Sequence, residues 1–388
     1  MRLLVLGAGL QGSACAYDLL QNPDVERITL ADRTLERLPS FLAPHRRDRR
    51  LTLAPLDARD AGSVRRLMEQ ADACMNALPY YFNLDVARLA VETGIHYCDL
   101  GGNTEIVFQQ MELDEAARDR NVSVIPDCGL APGMVNILAD AGIRALDRAE
   151  SVKILVGGLP QHPTPPLNYQ IVYSLEGVLD YYTTPSWVVR EGEPVQVEAL
   201  SEVESVDFPE PAGELEAFHT AGGLSTMPWT FKGRVRTMEY KTLRYPGHAE
   251  IVRAIRSLGL LGTEPIDVDG QPVVPRRVFI ACAEPRLRRP GGRDLVALRV
   301  VTEGLAGGRP RRIVYDLLDL YDEARGISAM ERTTGYSLAI TGQLQARGEV
   351  LGPGVRTPDQ AVPAERYIEE LAARGVEIRR RVQSLAVR

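Results

Sequence analysis

At 388 residues, 45% of them apolar and 25% charged, the chain has the make-up of an ordinary soluble globular protein and is too long for one typical core. A formal charge of −7 gives no electrostatic reason to expect nucleic acid or an anionic membrane as a partner, and no apolar run reaches the roughly 18 residues that span a bilayer. Cys15, Cys74, Cys98, Cys128 and Cys282 are an odd, scattered set without a CxxC pair, which predicts a reducing cytoplasm and no metal site.

Residues 1–6 (MRLLVL) predict a strand that runs directly into Gly7-Ala8-Gly9-Leu10-Gln11-Gly12 and then into a helical pattern, SACAYDLL. Gly7 permits the tight turn, Gly9 lets the backbone approach a pyrophosphate, and Gly12 lets the helix pack close to the strand. The helix N-terminus, at Leu10 and Gln11, offers free N–H groups and a positive dipole end to phosphates. The next apolar run, RITLAD, ends at Asp32, where an acid binds the adenosine ribose hydroxyls. Strand, loop, helix and acid in this order predict a dinucleotide site. A carboxylate at Asp32 repels a 2′-phosphate and favours NAD over NADP, although Arg33 and the basic run 45–50 (HRRDRR) can offset that charge.

Strand and helix signals go on alternating. Residues 51–56 predict a third strand, Ser63 a cap for the helix VRRLMEQ, and residues 72–78 a fourth strand. NLDVARLAVETG predicts a helix ended by Gly94, HYCDL a fifth strand ending at Asp99, then a charged helix through 111–120 and a last strand at 122–127. This is an α/β chain with an N-terminal Rossmann domain, a doubly wound parallel sheet. Ligands sit at the carboxyl ends of such strands. That places Asp57 towards the adenine amino group and Asn76, Pro79 and Tyr80 towards the nicotinamide ribose, with Asp99, Asp127 and Cys128 on the same rim.

Beyond residue 150 the texture changes. SVKILVGGL, RTMEYKTLRY, RRVFIACAE, DLVALRVVTEG and RRIVYDLLDLY predict longer strands. They suggest a mixed α/β substrate and dimerisation domain with a largely antiparallel sheet. Residues 160–229 are rich in Pro, Gly and aromatics and too long for an idle loop. SAMERTTGYSLAITGQLQ and PAERYIEELAARG predict helices. The expected division is a nucleotide-binding domain over 1–130, a substrate-binding and oligomerisation domain over 131–330, and C-terminal helices over 331–388 that return to the first domain.

VLGAGLQG, NALPYYFN, ETGIHYCDLGG, IPDCGLAPGM, YKTLRYPGH and GVRTPDQAVPAERYIEELAARGV together resemble the saccharopine dehydrogenase family, nearly end to end. DLGG at 99–102, PPLNYQIVYSLEGVLDYYT and LEAFHTAGG are most similar to its bacterial L-lysine 6-dehydrogenases. The resemblance implies a homodimer or larger homo-oligomer. It also implies NAD-dependent oxidative deamination of the ε-amine of L-lysine to allysine, which cyclises to piperideine-6-carboxylate, with release of ammonia. In the segment YSLEG, where the saccharopine reductases align with an arginine, this chain has Glu176. A carboxylate there repels the glutamate arm of saccharopine and can hold an ammonium group. The alternatives are a saccharopine or carboxynorspermidine dehydrogenase or reductase of the same family, and a non-catalytic NAD-binding sensor.

Such chemistry has minimum needs. An ε-ammonium, with a pKa of about 10.4, must lose a proton before hydride leaves, and a cation must hold the α-carboxylate. Candidate bases or proton carriers are Asp99 beside Gly101-Gly102, His219 in AFHTAGG, His248 in RYPGHAE, and Lys241. Arg244 is the expected carboxylate partner, because its planar fork pairs bidentately. Cys128 and Gly129 are expected to wall the substrate pocket, and Tyr169, Tyr173 and Glu176 to shape its distal end. Each has a plainer reading: a cap for Asp99, a solvated loop for His219, a surface ion pair for Arg244, and core packing for the tyrosines.

Overall fold

In the computed structural model, which describes residues 1–172 and 174–385, the first third of the chain builds a parallel sheet. Its units are β1 (Arg2–Leu6), α1 (Leu10–Gln21), β2 (Arg27–Asp32), β3 (Leu51–Pro55), α2 (Ala61–Met68), β4 (Ala73–Asn76), α3 (Asn83–Thr93), β5 (His96–Asp99), α4 (Thr104–Met111), α5 (Asp114–Asp119) and β6 (Ser123–Ile125). From one edge the strands run β3, β2, β1, β4, β5, β6. β1 shows why the sheet is wound on both faces. Leu3 and Val5 enter one apolar cluster with α1, while Leu4 and Leu6 enter another with α2 and α3. Two local expectations change. The cap of α2 is Asp60, whose carboxylate accepts the Ser63 N–H at 3.1 Å, and the charged stretch after β5 is two helices rather than one.

α6 (Met134–Arg144) leads into a second, nine-stranded sheet. It holds β7 (Arg148–Pro160), β8 (Ser186–Arg190), β9 (Glu193–Val197), β10 (Glu204–Asp207), β11 (Glu214–His219) and β12 (Thr237–Arg244). The pair of β12 with β7 is parallel, and the other pairs are antiparallel. α7 (Leu175–Thr183) and α8 (Met227–Thr230) interrupt the strands, so the aromatic-rich stretch is folded. α9 (His248–Ser257) follows β12, and the short hairpin β13 (Ile266–Val268) and β14 (Gln271–Val273) leads to α10 (Pro275–Leu287). RRVFIACAE, expected as a strand, lies within α10. Pro275 opens the helix, and Phe279, Ile280, Ala283 and Leu287 recur at helical spacing and pack against α7 and α9.

β15 (Asp294–Ala306) and β16 (Arg309–Leu320) complete the centre of this sheet. α11 (Ala329–Ala346) is then buried along almost its whole length, touching α1, β4, β5 and β15 and so wedged between the two sheets. β17 (Gly354–Val355) adds to the parallel sheet beside β6, and α12 (Pro358–Ala361) and α13 (Ala364–Ala373) follow. After α13, Arg374 reaches back to buried Asp18 of α1 at 2.7 Å. β18 (Arg379–Ser384) ends at the free edge of the second sheet, on β16. No helix among the described residues is long and apolar enough to cross a membrane.

Candidate active site

A cleft of about 640 Å³ opens where the carboxyl rim of the parallel sheet faces the second sheet. A second cavity of about 410 Å³ continues it over the β2 and β3 ends, sharing Leu78, Pro79 and Tyr81 with the first. The result is one long groove from Asp32 to Arg244.

At the Asp32 end the nucleotide fingerprint is built as its residues require. Gly7 turns at φ +95°, and a Cβ on Gly12 would lie 1.9 Å from the Gly7 carbonyl oxygen. Nothing lies within 4 Å of where a Gly9 Cβ would sit, so the start of α1 is open. Asp32 accepts the Ala8 N–H at 2.7 Å and the Thr34 N–H at 3.0 Å, and with Arg33 and Asp57 it lines the second cavity. Asp57 is exposed and bound to Arg59, whose backbone N–H is the main cause of its lowered pKa. Leu10 is 47% exposed, and Gln11 lines the main cleft with Pro79 and Tyr80. Glycine loop, open helix start and the acid that ends β2 together fit a dinucleotide. Asn76 differs from expectation. It is fully buried, accepting the Leu78 N–H and donating to Asn83 and Tyr97, so it shapes the Ala77–Tyr80 turn and does not line the groove.

At the other end, Arg244 lines the cleft from β12. Its guanidinium lies 4.9 Å above the Tyr169 ring, and its Nε donates to the Tyr182 hydroxyl at 3.0 Å. Glu176 and Asp180, one turn apart on α7, face the same cleft. Asp180 is paired with Arg276, whereas Glu176 has no ion-pair partner among the described residues. Gly129 also lines the cleft, with its carbonyl accepting the Ser337 hydroxyl of α11.

The other expected actors stand elsewhere. Asp99 is fully buried; its carboxylate accepts the Gly101 and Asp127 N–H groups and the Gln110 amide. Burial raises its pKa, and it shapes the Leu100–Gly102 rim from beneath. Asp127 is buried beside it, held by the Ser225 hydroxyl and pushed up to about 7 mainly by burial. The Cys128 thiol points into the core, towards the Ile125 carbonyl at 3.1 Å, so it is not a pocket wall; burial raises its pKa.

His219 and Lys241 pair across β11 and β12, on the face opposite Tyr240, Thr242 and Arg244, because successive strand residues point to opposite sides. Lys241 Nζ donates to Glu204 and to the Glu202 carbonyl, each at 2.7 Å. His219 sits between Glu202 and the Tyr240 carbonyl, and burial lowers its pKa. Glu202, His219 and Glu239 bring three ligand atoms within 4.8 Å, yet Arg190 and Lys153 already bind these carboxylates. His248 and Tyr169 lie behind Arg244 around a small apolar void and do not reach the cleft. Tyr173 lies outside the described residues.

Cleft residues that the sequence reading passed over are Asp180, Tyr181, Tyr240, Thr242, Met330 and Thr334. Tyr240 and Thr242 were signalled by the period of two from Arg244, and Asp180 by its spacing of four from Glu176. Met330 and Thr334 carry no local signal, since α11 comes from far along the chain. Among the described residues lining the cleft there is no histidine or lysine.

Comparison with known proteins agrees with this two-sheet architecture. The saccharopine dehydrogenase NADP-binding domain matches residues 3–125, and the saccharopine dehydrogenase C-terminal domain matches residues 129–376. The chain belongs to the saccharopine dehydrogenase family. Saccharopine dehydrogenase (NADP⁺, L-glutamate-forming) of Saccharomyces cerevisiae is 24% identical over 279 residues, 70% of this chain and 61% of that one. The mitochondrial alpha-aminoadipic semialdehyde synthase of Mus musculus is 25% identical over 68% of this chain, which spans only 29% of it. Carboxyaminopropylagmatine dehydrogenase of Synechocystis is 21% identical over 97% of this chain and 96% of its own. Among solved structures, the L-Glu-forming saccharopine dehydrogenase of S. cerevisiae superimposes with a TM-score of 0.79 at 21% identity, over 99% of this chain and all of the other. The homospermidine synthase of Legionella pneumophila, in complex with NAD, gives 0.71 at 12% identity over 98% of this chain and 91% of that one.

Proposed function

We propose that the protein is an NAD-dependent L-lysine 6-dehydrogenase. In balanced form, the ε-ammonium of L-lysine, NAD⁺ and water yield allysine, NADH, ammonium and a proton. The observation that carries this reading is the pairing in one cleft of a buried guanidinium, Arg244, with a carboxylate, Glu176, that no cation of the described protein neutralises. Such a site suits a ligand with a carboxylate and an ammonium group, and suits less well the additional carboxylates of saccharopine.

The dinucleotide, held by the Gly7–Gly12 loop and by Asp32, supplies the hydride acceptor when bound. Asp32 favours NAD, since a 2′-phosphate would meet its carboxylate. Arg244 binds the α-carboxylate, Glu176 holds the α-ammonium, and Leu78, Pro79 and Leu100 screen the reacting carbon from water. Among the described residues no imidazole or lysine lines the cleft, so the ε-ammonium gives its proton to solvent or to a cleft carboxylate. The rate therefore rises with pH towards the amine's own pKa of about 10. The five cysteines are all unpaired, as suits a reducing cytoplasm.

The competing reading is a dehydrogenase that joins a carboxylated arm to a polyamine. It is supported by the near full-length similarity to carboxyaminopropylagmatine dehydrogenase, whose named substrate also combines a carboxylate with a cationic group. NADH formation with L-lysine, saccharopine or a carboxylated polyamine, each with NAD and NADP, separates the readings. Lysine with NAD, with one ammonium released per NADH, is the expected result. Turnover of saccharopine or the carboxylated polyamine without any of lysine would move the protein to the competing reading.

A further inference from the structure

Behind Arg244 lies a chain of buried polar groups that the reaction itself does not require. Arg244 Nε donates to the Tyr182 hydroxyl at 3.0 Å, that hydroxyl lies 3.0 Å from His248 Nε2, and His248 Nδ1 lies 3.0 Å from the Leu167 carbonyl. The direction of every bond follows from chemistry. A carbonyl oxygen only accepts, so Nδ1 carries the hydrogen. A neutral imidazole has one N–H, so Nε2 accepts and Tyr182 must donate to it. The Tyr182 oxygen is then left to accept from Arg244. Burial, reinforced by the Arg244 charge, pushes His248 down to about 3, so the neutral form this polarity needs holds throughout the neutral range.

The surroundings fix these groups in place. Arg244, Tyr182 and His248 are each at most 3% exposed, and they come from β12, α7 and α9. The Phe218 ring lies parallel to the imidazole, with 7° between planes, and Tyr169 backs the guanidinium. Arg244 Nη1 also donates to the Leu243 carbonyl at 2.8 Å. Burying three polar side chains is costly unless each is satisfied in one geometry, and this geometry sets the plane of the guanidinium. Bidentate capture of a carboxylate depends on that plane.

We infer that Tyr182 and His248 are positioning residues that aim Arg244 at a substrate carboxylate. The inference rests on Arg244 being the carboxylate partner proposed above, and the test separates the two. Dissociation constants of L-lysine and of cadaverine, which lacks the carboxylate, are measured by calorimetry on the NADH-loaded protein for wild type and variants. The variants are Arg244→Leu, Tyr182→Phe, His248→Leu, His248→Gln and the double variant Tyr182→Phe/His248→Leu, with KM and kcat recorded wherever turnover occurs. Tyr182→Phe and His248→Leu are expected to weaken lysine binding about tenfold, as a KM effect with kcat little changed, and to leave cadaverine unaltered. The double variant is expected to be no worse than the worse single variant, because both break one chain. His248→Gln, whose amide oxygen can still accept from Tyr182, is expected to restore binding to within about threefold of wild type.

Equal weakening of lysine and cadaverine, additive losses, or failure of His248→Gln to rescue would overturn the relay while Arg244→Leu still discriminates between the ligands. If Arg244→Leu itself does not discriminate, the assignment of Arg244 falls and the relay falls with it.

Discussion

The two faces of β12 carry similar residues and do different work. On the outer face, Glu239 and Lys241 join Lys153, Arg190, Glu202, Glu204 and His219 in a network where acids and bases already meet one another. On the inner face, Tyr240, Thr242 and Arg244 line a cleft opposite Glu176, an acid that meets no cation of the described protein. Charge that is internally balanced holds a sheet together, while charge left to a cleft recognises a ligand. The difference teaches that the number of histidines and lysines near a site says little until strand phase assigns each one to a face.

The strongest way to break this comparison is Arg244→Leu. Loss of a bidentate, charge-assisted pair worth roughly 3 kcal/mol should lower kcat/KM for lysine about 100-fold, read by steady-state kinetics. The layer behind the cleft gives the next effect. His248 has a folded pKa of about 3, below its unfolded value of about 6.5, so its stabilisation is present above pH 6.5 and is lost as the pH falls towards 3. Between pH 7 and pH 4 that loss is about 3 kcal/mol, and His248→Gln should remove it, as urea unfolding at the two pH values would reveal. On the outer face, Lys241→Met should cost stability of about 1 kcal/mol, because it removes one of the two lysines on Glu204 while Lys153 still holds that carboxylate, and leave kcat/KM within about twofold. His219→Gln should have the smallest effect, with kinetics and their pH profile unchanged. A loss of kcat above tenfold in either outer-face variant would mean that the faces are wrongly assigned.

How far the sequence disclosed all this depends on how local each signal is. The stretch from Gly7 to Asp32 is contiguous, so spacing alone exposes the turn, the helix start and the acid. The Arg244 end of the cleft is assembled from β12, α7, α11 and the loops after β5 and β6, and no single stretch reports that assembly. Asp99 shows the difficulty: it stands at the strand end where catalytic acids sit, yet its Oδ1 is taken by the backbone N–H groups of Gly101 and Asp127 and its Oδ2 by the Gln110 amide. Lys241 and Arg244, three positions apart, could have been sorted by strand phase, and that phase already excluded a shared face. The helical spacing of Phe279, Ile280, Ala283 and Leu287 in α10 was equally present, but the apolar run RVFIACA masked it. The histidines were misleading for one reason. Burial lowers the pKa of His219 and His248 and gives each a hydrogen-bonding task inside the fold.

On the proposed reading the Arg244 face of β12 holds the substrate and the Lys241 face does not. A crystal structure of the protein with NADH and 6-aminohexanoate, which keeps the carboxylate and the reacting amine of lysine, tests it most directly. The carboxylate is expected on the Arg244 guanidinium and the amine near Pro79 and Gly101, beside the nicotinamide. A carboxylate bound at Lys241 or His219, or an Arg244 side chain making no contact with the ligand, would contradict it.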